Sequence, residues 1–301
     1  MALIGVTAIW GVTFPLVKQA VEQLPPYSFN AIRFALAAAV LGAVSVPSVR
    51  RLSAAGRRHG AVLGAALFAG YAFQTVGLQY TNASNAGFVT GMFVVFTPLL
   101  SAVLLRRPPS GAAIAGVVLA TVGLALLSLG PSFVPRGGDV LILGCALAFA
   151  IHIVGLGAWS SLHDAVGLTV VQLATSAVLH ATFAVTFEVG RAPMSWDTSV
   201  VVALLVTALL ASAAAFWIQT AAQRVIPPTR TAVILTMEPV FAGLFGFLLL
   251  DERLSARGWV GCGLILTGML IAELRGGAPP PAPPEEQAAT IGDVDAVRPL
   301  P

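Results

Sequence analysis

Ten runs of apolar residues follow one another along most of the chain, separated by short polar or proline-containing gaps. A helix needs about 20 mostly apolar residues to cross roughly 30 Å of hydrocarbon, and the runs have about this length. The pattern predicts transmembrane helices over residues 2–22, 28–49, 60–80, 84–105, 111–130, 138–158, 166–188, 199–222, 230–250 and 257–274. The gaps are too short to fold into a soluble domain, so we expect no catalytic module outside the membrane.

Composition supports a polytopic membrane protein. Of the 301 residues, 57% are hydrophobic and only 10% are charged, and the mean hydropathy is +0.90. Soluble domains carry about 25% charged residues, and disordered chains combine low hydrophobicity with high charge, so both classes are excluded. The net charge of +3 comes from basic clusters between the apolar runs, which is typical of topology determinants. We therefore expect membrane lipid around the chain and no nucleic-acid partner.

The distribution of Arg and Lys predicts the orientation, because short cytoplasmic loops carry an excess of both. With the N-terminus inside, the cytoplasmic segments hold Arg50, Arg51, Arg57, Arg58, Arg106, Arg107, Arg224, Arg230, Arg275 and Arg298. The outer segments hold Arg136, Arg191, Arg253 and Arg257. This bias predicts that both termini are cytoplasmic. Lys18 and Arg33 are expected near outer helix ends, where long stems carry the charge to the interface.

Two stretches of the chain are repeated. GVVLATVGLALL (116–127) resembles GCGLILTGMLIA (261–272), and FTPLLSAVLL (96–105) resembles MEPVFAGLFGFLLL (237–250). If a unit of five helices is duplicated, its two copies enter the membrane from opposite sides because five is an odd number. Such inverted repeats are common in secondary transporters. We therefore predict an all-α membrane protein with two inverted five-helix repeats, residues 1–137 and 138–274. The Pro, Ala and Glu of residues 275–301 predict a disordered cytoplasmic tail.

Short motifs in these spans resemble one known family. They are Trp10-Gly11 with Phe14, Arg33-Phe34-Ala35, Gly138-Asp139, Glu238-Pro239-Val240-Phe241-Ala242 and Asp251-Glu252-Arg253-Leu254-Ser255. In order and spacing they are similar to the ten-helix EamA-type transporters of the drug/metabolite transporter superfamily. The fourth span departs from that pattern, because it ends Leu104-Leu105-Arg106-Arg107-Pro108-Pro109.

The resemblance implies export of small polar metabolites, often amino acids, across a bacterial inner membrane. It also implies a central cavity lined mainly by the first, third, fourth, sixth, eighth and ninth spans, and no bound cofactor. On this basis we expect a small-molecule substrate, with protons as a candidate coupling ion.

Polar groups inside the bilayer are energetically costly and therefore candidates for function. Glu238 lies about 12 Å along the ninth span, beside Pro239, which cannot donate a backbone hydrogen bond. Its carboxylate is suited to binding a proton or a substrate amine; a structural hydrogen bond to the eighth or tenth span is the alternative. His152 is expected at a similar depth, where it could couple protonation to transport or be a satisfied buried histidine. We interpret His180 as structural.

Other side chains complete a candidate lining. They are Trp10, Phe14, Gln74, Thr90 and Thr97, for which core packing is the alternative. Pro15, Pro98 and Pro239 are expected to kink their helices. Cys145 and Cys262 show no disulfide or metal-ligand spacing, so we expect no metal.

The sequence therefore favours a secondary transporter that exports a small polar metabolite by alternating access. Drug or cation efflux is the alternative within transport. An intramembrane lipid-modifying enzyme is the alternative of another class, but the sequence has neither clustered carboxylates nor an H-E-x-x-H motif. A channel is disfavoured because rings of charge are missing.

Overall fold

The computed structural model describes residues 2–81, 83–106, 108–129, 137–190, 194–250 and 255–275. Within these ranges, the side chains of residues 14, 15, 18, 83–85, 246–250 and 275 are not described. The described chain is helical and contains no β-strand. The helices are α1 (Ala2–Gln23), α2 (Pro26–Val44), α3 (Val46–Arg51), α4 (Ala54–Gly77), α5 (Ala83–Gly91), α6 (Phe93–Leu104), α7 (Gly111–Ser128), α8 (Gly137–Trp159), α9 (Ala165–Phe187), α10 (Thr198–Ala208), α11 (Ala215–Ala222), α12 (Pro228–Leu235), α13 (Glu238–Leu250) and α14 (Ala256–Arg275).

Eight helical segments of the described chain are long and apolar enough to cross a membrane. They are Pro26–Val44, Ala54–Gly77, Ala86–Leu104, Gly111–Ser128, Gly137–Leu162, Ala165–Phe187, Thr198–Ala222 and Ala256–Leu274. The predicted run 2–22 is helical as α1, with its apolar part at Ala2–Thr13. The run 230–250 forms two shorter helices, α12 and α13. The all-helical architecture is confirmed; the tail prediction falls outside the described residues from 276 onward.

Four of the predicted runs are not regular α-helices along their whole length, and the second is interrupted at Ser45, between α2 and α3. The fourth is interrupted at Met92, between α5 and α6, and the ninth at Thr236 and Met237, between α12 and α13. In the eighth run, α10 and α11 are joined by a π-helical segment, Leu209–Ala214. A π-helix forms i→i+5 hydrogen bonds and is frequent at functional sites.

Two of the prolines predicted to kink their helices lie in the interrupted runs. Pro239 is the second residue of α13, directly after the interruption at Thr236 and Met237, and its missing N–H costs little there because the first helical donors have no intrahelical acceptor. Pro98 lies inside α6, six residues beyond Met92. Helix α1 continues through Pro15, whose side chain is outside the described part of the structure.

The helices pack in pairs that cross between the two halves of the chain. Helix α2 packs on α9, α4 on α8, α6 on α8, α7 on α14, and α1 on α13 and on α10–α11. The α7–α14 contact is so close that a Cβ at Gly116 would lie 2.8 Å from the Gly268 carbonyl oxygen, and one at Gly123 would lie 2.6 Å from the Gly261 oxygen. Small residues permit this backbone approach between membrane helices.

A distant carboxylate caps the start of α2. This helix begins Pro25-Pro26 and has no capping side chain of its own. Glu188, directly after α9, accepts hydrogen bonds from the backbone N–H groups of Tyr27 and Ser28 at 2.9 and 2.7 Å, and from the Ser28 hydroxyl at 2.8 Å. The first N–H groups of a helix lack intrahelical partners, so Glu188 satisfies two of them and ties α9 to α2.

Candidate functional site

A cavity of about 90 Å³ lies inside the helix bundle. A water molecule needs about 10–15 Å³ of such volume, so the cavity has room for a small metabolite. Its apolar wall is formed by Trp10, Val17, Tyr71, Leu78, Phe93, Phe149, Ile153, Phe216 and Leu235. Its polar wall is formed by Thr13, Arg33, Gln74, Thr75, Thr90, His152, Gln219 and Glu238. All six spans expected to line a cavity contribute residues to its wall. Helix α2 contributes as well, through Arg33.

The structure brings most of the predicted site residues together. Trp10, Gln74, Thr90, His152 and Glu238 all line the cavity. Thr97 does not belong to the cavity wall: it is fully buried, and its hydroxyl donates to the Phe93 carbonyl at 2.7 Å. The side chain of Phe14 lies outside the described residues.

Glu238 begins α13, directly after the interruption of the ninth run, and its side chain is partly exposed to the cavity. Within the described part of the chain, its carboxylate makes no hydrogen bond, so no structural bond to the eighth or tenth span is formed there. Helix α1 passes very close by, because a Cβ at Gly11 would lie 2.9 Å from the Glu238 carbonyl oxygen. Glycine at position 11 therefore permits the close contact between α1 and α13.

Arg33 corrects the sequence prediction. It was expected near an outer helix end, with its charge carried to the interface, but only 3% of the residue is exposed and it lines the cavity. Its Nε donates to the Ser212 hydroxyl at 2.7 Å, and one Nη donates at 3.4 Å to the Tyr71 hydroxyl and the Ala211 carbonyl. The guanidinium also lies 4.9 Å from the Tyr71 ring centre, a distance typical of cation–π contact.

The π-helical segment is held by side chains from α1 and α2. The indole N–H of Trp10 donates to the Ala211 carbonyl at 2.9 Å, the same oxygen that Arg33 reaches. Trp10 also packs on Phe216, with ring centres 5.6 Å apart. The irregular backbone of the eighth run is therefore stabilised by groups that line the cavity.

His152 is held by a chain of polar side chains on the sixth, seventh and eighth runs. Its Nε2 lies 2.8 Å from Gln172 Oε1, and the Gln172 amide donates to the Thr220 hydroxyl at 3.4 Å. No hydrogen bond joins His152 to Glu238 among the described residues. His180 is buried away from the cavity wall, with its Nδ1 2.8 Å from the Ser176 carbonyl oxygen.

Gln219 was not singled out from the sequence. Its amide donates to Gln223 Oε1 at 3.2 Å, and the Gln223 amide donates to the Ile153 carbonyl at 2.8 Å. The Oε1 atom of Gln219 is buried and has no hydrogen-bond partner among the described residues. An amide inside an apolar run is the signal that could have identified it.

No three His, Cys, Asp or Glu side chains cluster as metal ligands in the part of the chain described here. Cys145 and Cys262 are buried free thiols.

An all-helical arrangement of long apolar segments is typical of a multi-pass membrane protein. The sequence pattern of the EamA-like transporter family matches residues 1–129 and 136–273. The chain belongs to this family, as the residue motifs indicated, and it is a multi-pass membrane transporter, not an enzyme.

Relatives and solved structures agree with this assignment. An uncharacterised transporter of Archaeoglobus fulgidus is 36% identical over 275 residues, which cover 91% of this chain and 85% of the relative. A probable amino-acid metabolite efflux pump of Escherichia coli is 24% identical over 291 residues, which cover 88% of this chain and 91% of that protein. One crystal structure, 22% identical in sequence, superimposes with a TM-score of 0.77 over 91% of this chain and 96% of its own, which shows a shared fold.

Proposed function

We propose that the protein is a secondary transporter that exports a small polar metabolite, such as an amino acid, by alternating access at the central cavity. The observation that carries this proposal is the position of Glu238. Its carboxylate, without a hydrogen-bonding partner in the described structure, faces an interior cavity at the point where a membrane-spanning run is interrupted. The Escherichia coli relative, named as a probable amino-acid metabolite efflux pump, supports the substrate class.

We further propose ten spans arranged as two inverted five-helix repeats, residues 1–137 and 138–274. The family pattern matches two successive segments of similar length, which supports a duplication. The packing supports it too, because the first helix of each proposed repeat contacts the same helices of the other repeat. The first helices, α1 and α8, pack on the fourth helix of the other repeat, at α13 and α6. They also pack on its third helix, α10–α11 and α4. At the repeat offset of 145 residues, Gly116 corresponds to Gly261 and Gly123 corresponds to Gly268. The Gly116–Gly268 and Gly261–Gly123 contacts are therefore equivalent under the repeat.

The interrupted helices fit this arrangement. Transporters with inverted repeats often bind substrate at discontinuous helices in corresponding positions of the two halves. Here the interruptions at Met92 and at Thr236–Met237 fall in the fourth and ninth runs, which are the fourth helices of the two proposed repeats. Thr90 and Glu238, beside these interruptions, both line the cavity.

For orientation we propose a bacterial inner-membrane protein with both termini in the cytoplasm, on the basis of the arginine distribution. Glu238 then binds either a coupling proton or the amine of the substrate. His152, which also lines the cavity and is bonded to Gln172, orients the aromatic lining around the substrate through its contact with Phe216.

The proposal is tested by substrate flux in proteoliposomes. Glu238→Gln and Glu238→Ala should abolish transport of the amino acid that wild type carries, because the only carboxylate described in the cavity wall is lost. Glu22→Gln is the matched control, since Glu22 is exposed at the end of α1 and lies outside the cavity. Full transport by both Glu238 variants, with normal insertion and folding, would overturn the role of Glu238.

A further inference from the structure

We propose that the cavity recognises a zwitterionic amino acid at two points, with the substrate carboxylate bound by Arg33 and its ammonium bound by Glu238. This inference rests on the proposed function in one respect: it takes the cavity to be the substrate site. It goes further by giving Arg33 a role in specificity, and by requiring both charges on the substrate.

The first point of recognition is the guanidinium of Arg33. It is almost completely buried, and no carboxylate lies within ion-pair distance of it in the described chain, where the one ion pair joins Arg230 to Glu273. A buried guanidinium is stabilised most by a carboxylate at hydrogen-bonding distance. Its hydrogen bonds go to neutral groups, and one of its two Nη atoms makes none among the described residues. A planar guanidinium with a free N–H edge is suited to binding a carboxylate.

The second point of recognition is the carboxylate of Glu238. It faces the cavity without a hydrogen bond from the described part of the protein. A substrate ammonium carries three N–H donors and no acceptor, which matches a carboxylate that only accepts.

The two opposite charges line one cavity without pairing with each other. Arg33 and Glu238 both belong to its wall, yet they form no ion pair. A ligand with a single positive charge would be repelled by Arg33 and would give it no partner. A ligand with a single negative charge would be repelled by Glu238 and would give that carboxylate no partner. A zwitterion satisfies both groups, so the arrangement selects against simple amines and simple acids.

The remaining wall indicates an apolar substrate side chain. The rings of Trp10, Tyr71, Phe149 and Phe216 surround the polar groups. Apolar and aromatic walls with a few placed polar groups are typical of small-molecule sites, and aromatic rings pack favourably on one another in tilted arrangements. L-Phenylalanine therefore carries all three features that the cavity matches.

The test is equilibrium binding to the purified full-length protein with three matched ligands: L-phenylalanine, phenethylamine, which lacks the carboxylate, and 3-phenylpropionate, which lacks the amine. Wild type should bind L-phenylalanine at least about tenfold more tightly than either analogue, as expected for loss of one charged hydrogen-bonding partner. Binding is measured without transport, so its outcome does not depend on alternating access.

The variants should change specificity in opposite directions. Glu238→Gln should weaken L-phenylalanine binding at least about tenfold while leaving 3-phenylpropionate binding equal or tighter. Arg33→Gln should weaken L-phenylalanine binding while leaving phenethylamine equal or tighter. Glu22→Gln and Arg58→Gln, both at exposed positions, should leave all three affinities unchanged. Arg33 also donates hydrogen bonds to other helices, so Arg33→Gln can prevent folding. In that case the binding specificity of the isosteric Glu238→Gln variant decides whether the inference holds.

Several results would overturn this inference: no binding of L-phenylalanine, wild-type binding of either analogue as tight as that of L-phenylalanine, or equal loss of L-phenylalanine and 3-phenylpropionate affinity in Glu238→Gln. If the specificity pattern is obtained but proteoliposomes show no flux, the proposed transport function fails while the two-point site stands. If flux is found but is equally fast for phenethylamine, the inference fails while transport stands.

Discussion

The Nε atom of Arg33 lies 2.7 Å from the hydroxyl oxygen of Ser212, so a buried cation on α2 is bonded directly to the π-helical segment of the eighth run. The same segment offers its Ala211 carbonyl to Trp10 of α1. Ala211 and Ser212 of this segment therefore join the eighth run to α1 and α2. This connection explains how the charged side chain of Arg33 is held in place inside the helix bundle.

Ser212→Ala should destabilise the folded protein. The change removes the acceptor of the Arg33 Nε–H, and loss of a hydrogen bond to a buried charged group costs about 1–3 kcal/mol. We expect the midpoint of thermal unfolding in detergent to fall. Ser161→Ala is the matched control, because Ser161 is exposed in the turn after α8. Equal midpoints for the two variants would show that the Arg33–Ser212 bond does not contribute to stability.

Gly116→Ala and Gly268→Ala should each lower the free energy of unfolding. The added methyl groups would lie 2.8 and 2.7 Å from carbonyl oxygens of the facing helix, and overpacking of this kind costs about 1–3 kcal/mol. Gly263→Ala, in the same helix as Gly268, is the control, because a Cβ there meets open space. A Gly116 variant as stable as the Gly263 variant would contradict the close α7–α14 contact.

Single introduced cysteines should report the proposed orientation. Ala55→Cys lies in the first turn of α4, at the end of the third span that we propose to be cytoplasmic, and Ser195→Cys lies between the seventh and eighth spans, on the outer side. Both positions are exposed, whereas the native Cys145 and Cys262 are buried. In intact cells a membrane-impermeant maleimide should label Ser195→Cys and not Ala55→Cys. The reverse labelling would invert the topology.

Periodicity and charge placement predicted the helices and part of the site. Glu238 could be found because an acid in the middle of an apolar run is unusual. Arg33 carries the same signal, but it lies near a predicted helix end, where a cation commonly reaches the interface. Its partners, Ser212 and Tyr71, are 179 and 38 residues away in the sequence, so its burial depended on tertiary contacts.

The helix interruptions were harder to predict from local signals. Proline was the expected cause, yet the fourth run is interrupted at Met92, and Pro98 is accommodated within α6. The π-helical segment has the sequence LLASAA, which is indistinguishable from a regular apolar helix. The Glu188 cap on α2 joins residues about 160 positions apart. Such features follow from packing between spans, which a single sequence does not encode locally.

Counterflow in proteoliposomes tests alternating access most directly. Vesicles containing the full-length protein are loaded with unlabelled L-phenylalanine and diluted into a trace of the labelled amino acid. A carrier whose cavity faces one side at a time exchanges internal for external substrate, so we predict a transient accumulation of label above its equilibrium level. The overshoot should be absent for Glu238→Gln and present for Glu22→Gln. Label that only equilibrates, with no overshoot in wild type, would contradict alternating access at this cavity.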